Sequence, residues 1–410
     1  MDKNQSATEA AVEKDRQSNS TPESPELNLV AVAGGKRQQQ AAAVNQRDIT
    51  INQINDGIPT GLVPPHLLQE LAKRNPGVRE HQETLNQMKN LSWWPFPWPW
   101  GQKSNGEREV YDANEKYSLP GNKARFEGDP ASGVDEADKA YEYTGQIRDF
   151  YKNVFNRDSI DNNGMKFIST VNYGKNYENA FWNGKQMTYG KPGPDSPFRT
   201  FVLLDVCGHE ITHGVTEKES KTKYYGQSGA LNESYSDVFG ELIQQRANNT
   251  LAKDADWVVG NGIWKDGING RGLRDMLNPG TAYDDPKVGK DPQPGHMKDY
   301  KKMSGDNGGV HYNSGIPNRA FALFSIAAGG YAWEKPGQIW FAARKAAGSN
   351  PSFAQFAHHT IEEAKKQGHT QLVPELEKAW ADVGVTPSAT AKDTETPVRP
   401  NTTRRIRKAS

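Results

Sequence analysis

The sequence predicts an α+β fold in two lobes, the first rich in strands and the second mainly helical. Three observations carry this. Strand and hairpin signals gather between about residues 106 and 205, helical spacing dominates from about 221 to 388, and a helical segment over 203–220 with His209 and His213 four residues apart joins the two. The site of interest is therefore expected between the lobes.

Length and composition bound the rest. At about 150 residues per domain, 410 residues allow two or three domains, or one large two-lobed unit with appended segments. Hydrophobic residues are 34%, and the 39 Gly bring the apolar share to roughly 43.5%, slightly under the usual 45–50%. That is the composition of a normal core diluted by unfolded ends. Lys+Arg and Asp+Glu are 50 each, so no overall field favours nucleic acid or acidic lipid. The single cysteine, Cys207, excludes an internal disulfide. No apolar run is long enough to span a membrane, and the first 30 residues lack the apolar core of a signal peptide.

Taken in order, residues 1–56 are rich in Ser, Gln, Asn, Ala, Glu and Lys, bury too little to fold, and are expected to be a disordered tail. Residues 57–105 read as a small appended module. Pro64 and Pro65 give a short extended piece, and Leu67, Leu68, Leu71, Leu85 and Met88 give amphipathic helical material. The module ends in Trp93-Trp94-Pro95-Phe96-Pro97-Trp98-Pro99-Trp100, whose alternating prolines forbid helix and central strand. A linker that packs its rings on the neighbouring domain is expected there, with a membrane-interface or peptide-groove role as the alternative.

From Val110 the chain becomes globular. Val134, Ala137, Tyr141, Ile147, Tyr151, Val154 and Phe155 recur at helical spacing, and Met165–Tyr173 reads as a strand. Ala180–Tyr189 reads as a hairpin about Asn183-Gly184, a two-residue turn that asks for positive φ at both positions. Downstream, Ser228, Ser314 and Ser352 are expected helix N-caps, and Gly329, Gly348 and Gly368 expected stops. Residues 389–410, Thr/Pro-rich and ending Arg404-Arg405-Ile406-Arg407-Lys408, are expected to be a solvated, disordered basic tail.

The chemistry concentrates in three places. On a helix, His209 and His213 of His209-Glu210-Ile211-Thr212-His213 share one face and can reach one zinc, while Glu210, about 100° further round, can address the metal's water. Two satisfied surface histidines are the bland alternative. A metzincin continuation needs Gly and His at 216 and 219, and Thr216 and Glu219 exclude it. Instead Asn232-Glu233-Ser234-Tyr235-Ser236-Asp237 begins a second helix, with Glu233 24 residues after His209. Two His and one Glu leave a fourth position for water, the arrangement of a catalytic rather than a structural zinc. Asp237, one turn beyond Glu233, is placed to hold a ligand histidine's second nitrogen. In Asp306-Asn307-Gly308-Gly309-Val310-His311, the glycines allow a tight loop and Asp306 suggests an oriented imidazole on His311.

Together these segments resemble a thermolysin-family zinc metalloendopeptidase over about Val110 to Val385. The resemblance is carried by Asn179–Met187, the zinc helix, Gly229–Asp237, Gly272-Leu273-Arg274 and the His311 loop. It implies a monomeric two-lobed zincin with one catalytic zinc between the lobes and protein or peptide substrates. His209, His213 and Glu233 would bind the metal, with Asn232 and Asp237 behind them. Glu210 would be general base and proton shuttle, Tyr224 and His311 would stabilise the oxyanion, and Asp306 would orient His311. Asn179, the Ala180 carbonyl and Arg274 would hold substrate backbone along the hairpin edge. Phe201, Val206, Val259 and Leu273 are expected in the pocket beyond the zinc, so a bulky apolar residue just after the scissile bond is the expected preference.

Departures and additions matter too. Gln244, Val258 and Asn261 stand where the family's paired calcium site has acidic ligands, although Asp205 and Asp256 remain. Calcium is left open and the paired site is not expected. Val63-Pro64-Pro65-His66-Leu67-Leu68 resembles the short propeptide motif of protealysin-like members. Pro64, Pro65, His66 and Leu67 are expected in the cleft in a non-cleavable pose, as an intramolecular inhibitor removed within 92–106; approach of His66 to zinc is the lesser expectation. The resemblance favours an extracellular enzyme, so secretion by a leaderless route is expected, with cytoplasmic retention the alternative. A competing class is an inactive zincin that binds partners or membranes through the Trp/Pro segment, against which every catalytic position holds the required residue type. A zinc aminopeptidase would need an acidic amine anchor where Asn179-Ala180-Phe181-Trp182 stand.

Overall fold

The structure is a computed structural model that describes residues 61–90 and 105–396. The expected N-terminal tail, the Trp/Pro segment and the Arg/Lys-rich end lie outside the described residues.

The first lobe is built on one mixed sheet. Strands β1 (Arg108–Asp112), β2 (Asn122–Phe126), β3 (Phe167–Tyr173), β4 (Ala180–Trp182) and β5 (Met187–Gly190) lie in the order β2-β1-β3-β5-β4. β1, β3 and β5 run parallel, and the outer strands β2 and β4 are antiparallel to their neighbours. β3 is buried at five of its seven positions, as a central strand covered on both faces must be. Helix α3 (Asp135–Phe155) covers it, burying Ala137, Ala140, Tyr141, Ile147, Phe150 and Tyr151. Its first turn carries Asp135, Glu136 and Asp138, which suit the positive end of the helix dipole.

The hairpin differs from the sequence reading. Trp182 pairs with Met187, so the loop holds four residues, and only Gly184 takes a positive φ. Asn183 Oδ1 accepts the amides of Lys185 and Gln186, an Asx turn that takes over the role assigned to a left-handed Asn183. The consequence for function is unchanged: β4 is an edge strand.

Two buried helices set the site. In α4 (Leu204–Lys218) every residue from Leu204 to Thr216 is buried, and in α5 (Gly226–Ala247) every residue from Gly226 to Ile243. They meet at Gly208 and Gly240: a Cβ on Gly240 would sit 2.5 Å from the Asp205 carbonyl oxygen, and one on Gly208 3.0 Å from Gly240 Cα. This close approach carries the face of α4 with His209 and His213 up to Glu233. The helix expected to begin at Asn232 begins at Gly226, and Ser228 lies inside it, its hydroxyl donating to the Tyr225 carbonyl rather than capping.

The second lobe adds a short antiparallel ribbon of β6 (Val258–Val259) and β7 (Arg274–Asp275), then α6 (Asp306–Asn313), α7 (Gly315–Ala328), α8 (Lys335–Ala346), α9 (Phe353–Lys366) and α10 (Val373–Asp382). Ser352 caps α9 with a reciprocal bond to Gln355, whereas Ser314 precedes α7 without a side-chain cap. Gly329, Gly348 and Gly368 follow their helices with φ of 72°, 75° and 78°.

Two appended pieces join this body. Helices α1 (Pro65–Arg74) and α2 (Glu80–Asn90) bury Leu67, Leu68, Leu71, Leu85 and Met88 in the same apolar cluster as the lobes. A fully buried leucine stabilises by roughly 1.5–3 kcal/mol. The second piece corrects the expected C-terminal tail, because residues 388–396 are docked. The Asp393 carboxylate accepts the Gln227 amide and side chain at 3.1 Å each, the Ser352 hydroxyl donates to Ala391, and Tyr300 bonds Thr396. Thr396 also packs on Gly226 and Gly308, where the lack of side chains leaves room for it.

Candidate active site

The contact at Gly208 and Gly240 brings His209, His213 and Glu233 together. Their ligand atoms lie within 4.8 Å of one another, and all three residues are buried. His209 Nε2 is 3.1 Å from His213 Nε2 and 3.6 Å from Glu233 Oε2, and His213 Nε2 is 3.5 Å from Glu233 Oε1. Ligands about 2.0–2.1 Å from a tetrahedral zinc are roughly 3.3 Å apart, so the residues present fit that ion. Each imidazole is held from behind: His209 Nδ1 faces Asp237 Oδ1 at 2.9 Å, and His213 Nδ1 faces Asn232 Oδ1 at 2.9 Å. Asp237 also takes Arg274 Nε and Nη2 at 2.8 and 2.7 Å and Asn318 Nδ2 at 2.8 Å. The bidentate Arg274 link and the Asn318 bond were not legible in the sequence.

Around this cluster stand the expected acid–base groups. Glu210 is fully buried with no hydrogen-bond partner on either oxygen, and burial pushes its carboxyl up to about 7. The Tyr224 hydroxyl donates to Glu233 Oε1 and lies 3.3 Å from His311 Nε2. Asp306 accepts the His311 amide at 2.9 Å and faces His311 Nδ1 at 2.7 Å. Four successive positive-φ residues, Asp306 to Gly309, make the tight turn that allows both contacts. Burial opposes a charged His311, but Glu233 and Asp306 outweigh it and hold the imidazole up at about 9. Burial likewise opposes an ionised Glu233, yet His311, His213, His209 and Arg274 keep it below the usual carboxylate range.

The cleft is filled by the segment ahead of α1. Leu62 N–H donates to the Ala180 carbonyl at 3.0 Å, and Arg274 Nη1 donates to the Leu62 carbonyl at 3.1 Å. Val63 N–H donates to Asn179 Oδ1 at 2.8 Å, while Asn179 Nδ2 donates to the Val63 carbonyl at 3.3 Å. All three expected substrate-holding residues therefore hold backbone of this chain. The backbone bonds to them are made by Leu62 and Val63, just ahead of Pro64–Leu67. Pro65 fits the first position of a helix, so the chain leaves the extended state straight after Pro64. The His66 ring lies 4.2 Å from that of Tyr312, with Nδ1 buried and unpartnered. Burial, with the charges of His311 and Arg274, lowers its pKa to about 3.

One further pair had no local signal. His81 of α2 and Glu178, beside Asn179, meet at 2.5 Å with side chains 1% and 0% exposed. They are 97 residues apart, beyond the reach of any spacing argument.

Comparison with known proteins follows the same outline. Residues 96–217 match the thermolysin metallopeptidase catalytic domain and 220–385 its alpha-helical domain. An extracellular metalloprotease of Pectobacterium carotovorum is 44% identical over 333 residues, 79% of this chain and 96% of its own. Protease PrtS of a Photorhabdus species is 42% identical, with 83% and 96% covered. The chain belongs to the thermolysin family of zinc metalloendopeptidases. Within the family, the solved precursor of protealysin from Serratia proteamaculans is similar to it at a TM-score of 0.74 and 43% identity, over 80% of this chain and 99% of that one. The sequence reading of a protealysin-like member with two lobes is thus borne out.

For this thermolysin-family chain, Phe201, Val206, Val259 and Leu273 are all buried, in one apolar cluster with Leu62. Val259 pairs with Arg274 across the β6–β7 ribbon, which ties the expected pocket to the backbone-binding guanidinium. Of the acids left from the family's calcium pattern, Asp256 accepts Asn261 Nδ2 at 2.6 Å, and Asp205 accepts the Gly260 and Val206 amides at 2.5 and 2.9 Å. Burial lifts Asp205 to about 6, above its unfolded value of about 3.9. The folded chain therefore binds this proton more tightly, so the stabilisation is full below pH 4 and is lost as pH rises through 6. Between pH 4 and 7, Asp205→Asn is expected to gain about 3 kcal/mol relative to the parent in urea unfolding. An unchanged difference between the two pH values would refute the assignment.

Proposed function

We infer that the chain is made as a self-inhibited neutral endopeptidase, with residues 57–105 as propeptide and 106–388 as catalytic unit. The observation that carries this is the seating of Gly61–Val63 backbone on Asn179, Ala180 and Arg274 beside the His209–His213–Glu233 cluster. His209, His213 and Glu233 would hold zinc there, which would supply Lewis acidity for activating water and polarising the scissile carbonyl. Glu210, buried and ionising near neutrality, takes a proton from the attacking water and delivers it to the leaving amide nitrogen. Tyr224 and His311 donate to the carbonyl oxygen as it gains charge, and Asp306 fixes the His311 ring so that Nε2 faces the substrate. Asn179, Ala180 and Arg274 hold extended backbone without reading its side chains, so sequence preference falls to the pocket of Phe201, Val206, Val259 and Leu273.

In this reading the propeptide is removed within 92–106, and the mature enzyme is a secreted monomer. Secretion is supported by the extracellular relatives; a leaderless route is our proposal. No helix among the described residues is long and apolar enough to cross a membrane. The test is a pair of quenched peptides differing only after the scissile bond, assayed with and without a zinc chelator. Leu there should exceed Ala in kcat/KM by roughly 10–200-fold, and the chelator should abolish both rates. Equal rates would refute the pocket assignment, and chelator-resistant cleavage the metal assignment.

A further inference from the structure

The cleft contacts define a register, and the register has a direction. Leu62 exchanges bonds with Ala180 and Arg274 and Val63 with Asn179, in the N-to-C order of a peptide leaving the reacting centre. One peptide bond upstream, the Gly61 carbonyl oxygen lies 3.2 Å from His311 Nε2. On the other side of the same bond, the Leu62 amide donates to the Ala180 carbonyl and, with that of Trp182, is near enough to Glu210 to favour its ionised form, although neither Glu210 oxygen has a hydrogen-bond partner. The Gly61–Leu62 bond thus has the oxyanion donor at its carbonyl and the proton shuttle at its nitrogen. Leu62 is fully buried in the core that also holds Phe201, Val206, Val259 and Leu273, and it is of the bulky apolar type expected after a scissile bond. Gly61, with φ of 95°, is required by the approach, since a Cβ there would lie 2.3 Å from the Ala180 carbonyl oxygen.

We propose that Gly61–Leu62 is a processing site cut by the chain's own active centre. The inference rests on the peptidase reading above. The step is hydrolysis: water adds across the bond, its oxygen forms the Gly61 carboxylate, the C–N bond breaks, and Glu210 passes a proton to the Leu62 nitrogen, which leaves as an amine. The new Leu62 terminus stays seated through the bonds to Ala180, Asn179 and Arg274, because α1 and α2 remain buried against the lobes. This cut is separate from removal of the propeptide in 92–106, and it leaves a product bound in place of a substrate.

The experiment uses the full chain, purified with a zinc chelator and then given zinc, followed by intact mass and N-terminal sequencing. A fragment starting at Leu62 is expected, at a rate independent of protein concentration over a tenfold range, and absent from Glu210→Gln. Gly61→Ala should slow the cut by about 10²-fold, while the chain hydrolyses an added quenched peptide no more slowly than the parent. In the uncut Glu210→Gln chain, hydrogen exchange at the Leu62 and Val63 amides should be slow, and Gly61→Ala in that background should make it fast. An intact Gly61–Leu62 bond in a chain that hydrolyses the quenched peptide overturns the proposal and leaves the peptidase reading standing. A rate proportional to concentration, or unprotected amides, also overturns it; no hydrolysis of any peptide overturns both.

Discussion

Glu210→Gln should lower kcat by roughly 10²–10⁴-fold while zinc content and melting temperature stay close to those of the parent. The substitution keeps the shape of a side chain that is fully buried and makes no hydrogen bond, so little packing is disturbed. What it removes is the proton acceptor beside the reacting bond. His209, His213 and Glu233, with Asp237 and Asn232 behind the two imidazoles, are untouched and should load zinc as before. The same variant should accumulate as the full-length precursor if the chain processes itself. Metal analysis, thermal unfolding and a peptide assay on one preparation decide it. Normal turnover in the variant would remove Glu210 from the chemistry, and a loss of zinc would mean that the effect is structural.

Asp237→Ala should act more broadly, because one carboxylate serves two ends of the site. It holds His209 through one oxygen and Arg274 through both. Burial opposes its charge, but Arg274 and His209 more than compensate and keep it well below the usual carboxylate range. Without it, Arg274, 2% exposed, loses its bidentate partner, and stranding a buried charge costs about 3–5 kcal/mol. Losing the imidazole's support should weaken zinc binding by about 10–100-fold. KM should rise as well, since Arg274 no longer presents Nη1 to a substrate carbonyl. Asp237→Asn keeps one acceptor and should fall between the two. A zinc titration and a melting curve on both variants check this, and an Asp237→Ala chain with the parent's melting temperature would contradict the assigned geometry.

What the sequence revealed and what it hid divide along a physical line. His209, Glu210 and His213 were legible because a helix turns interval into direction, and Glu233 and Asp237 followed from the same rule on a second helix. The run from Val134 to Phe155 gave α3 for the same reason. The contact that makes these helices a site, Gly208 on Gly240, joins residues whose only common feature is the lack of a side chain. His81 with Glu178, Asp393 with Gln227, and Gly61 against Ala180 lie further apart still. Each depends on where the fold puts two distant backbones, which no local period encodes. The motif at Pro64–Leu67 pointed to the segment, but not to the bonds of Leu62 and Val63 just ahead of it, because a proline pair is as good a helix start as an extended segment. At Asn183 the side chain offered the loop a hydrogen-bonded alternative to the left-handed turn that the dipeptide suggests.

The docked residues 388–396 also set an order in time. They rest on the start of α5 and on the turn ahead of His311, yet they are synthesised after every residue of the active site. Gly61–Val63, in contrast, leave the ribosome before any part of the cleft they occupy. The segment that fills the cleft is thus made before the lobes it lies between, and the segment that rests on Gly226 and Gly308 after them.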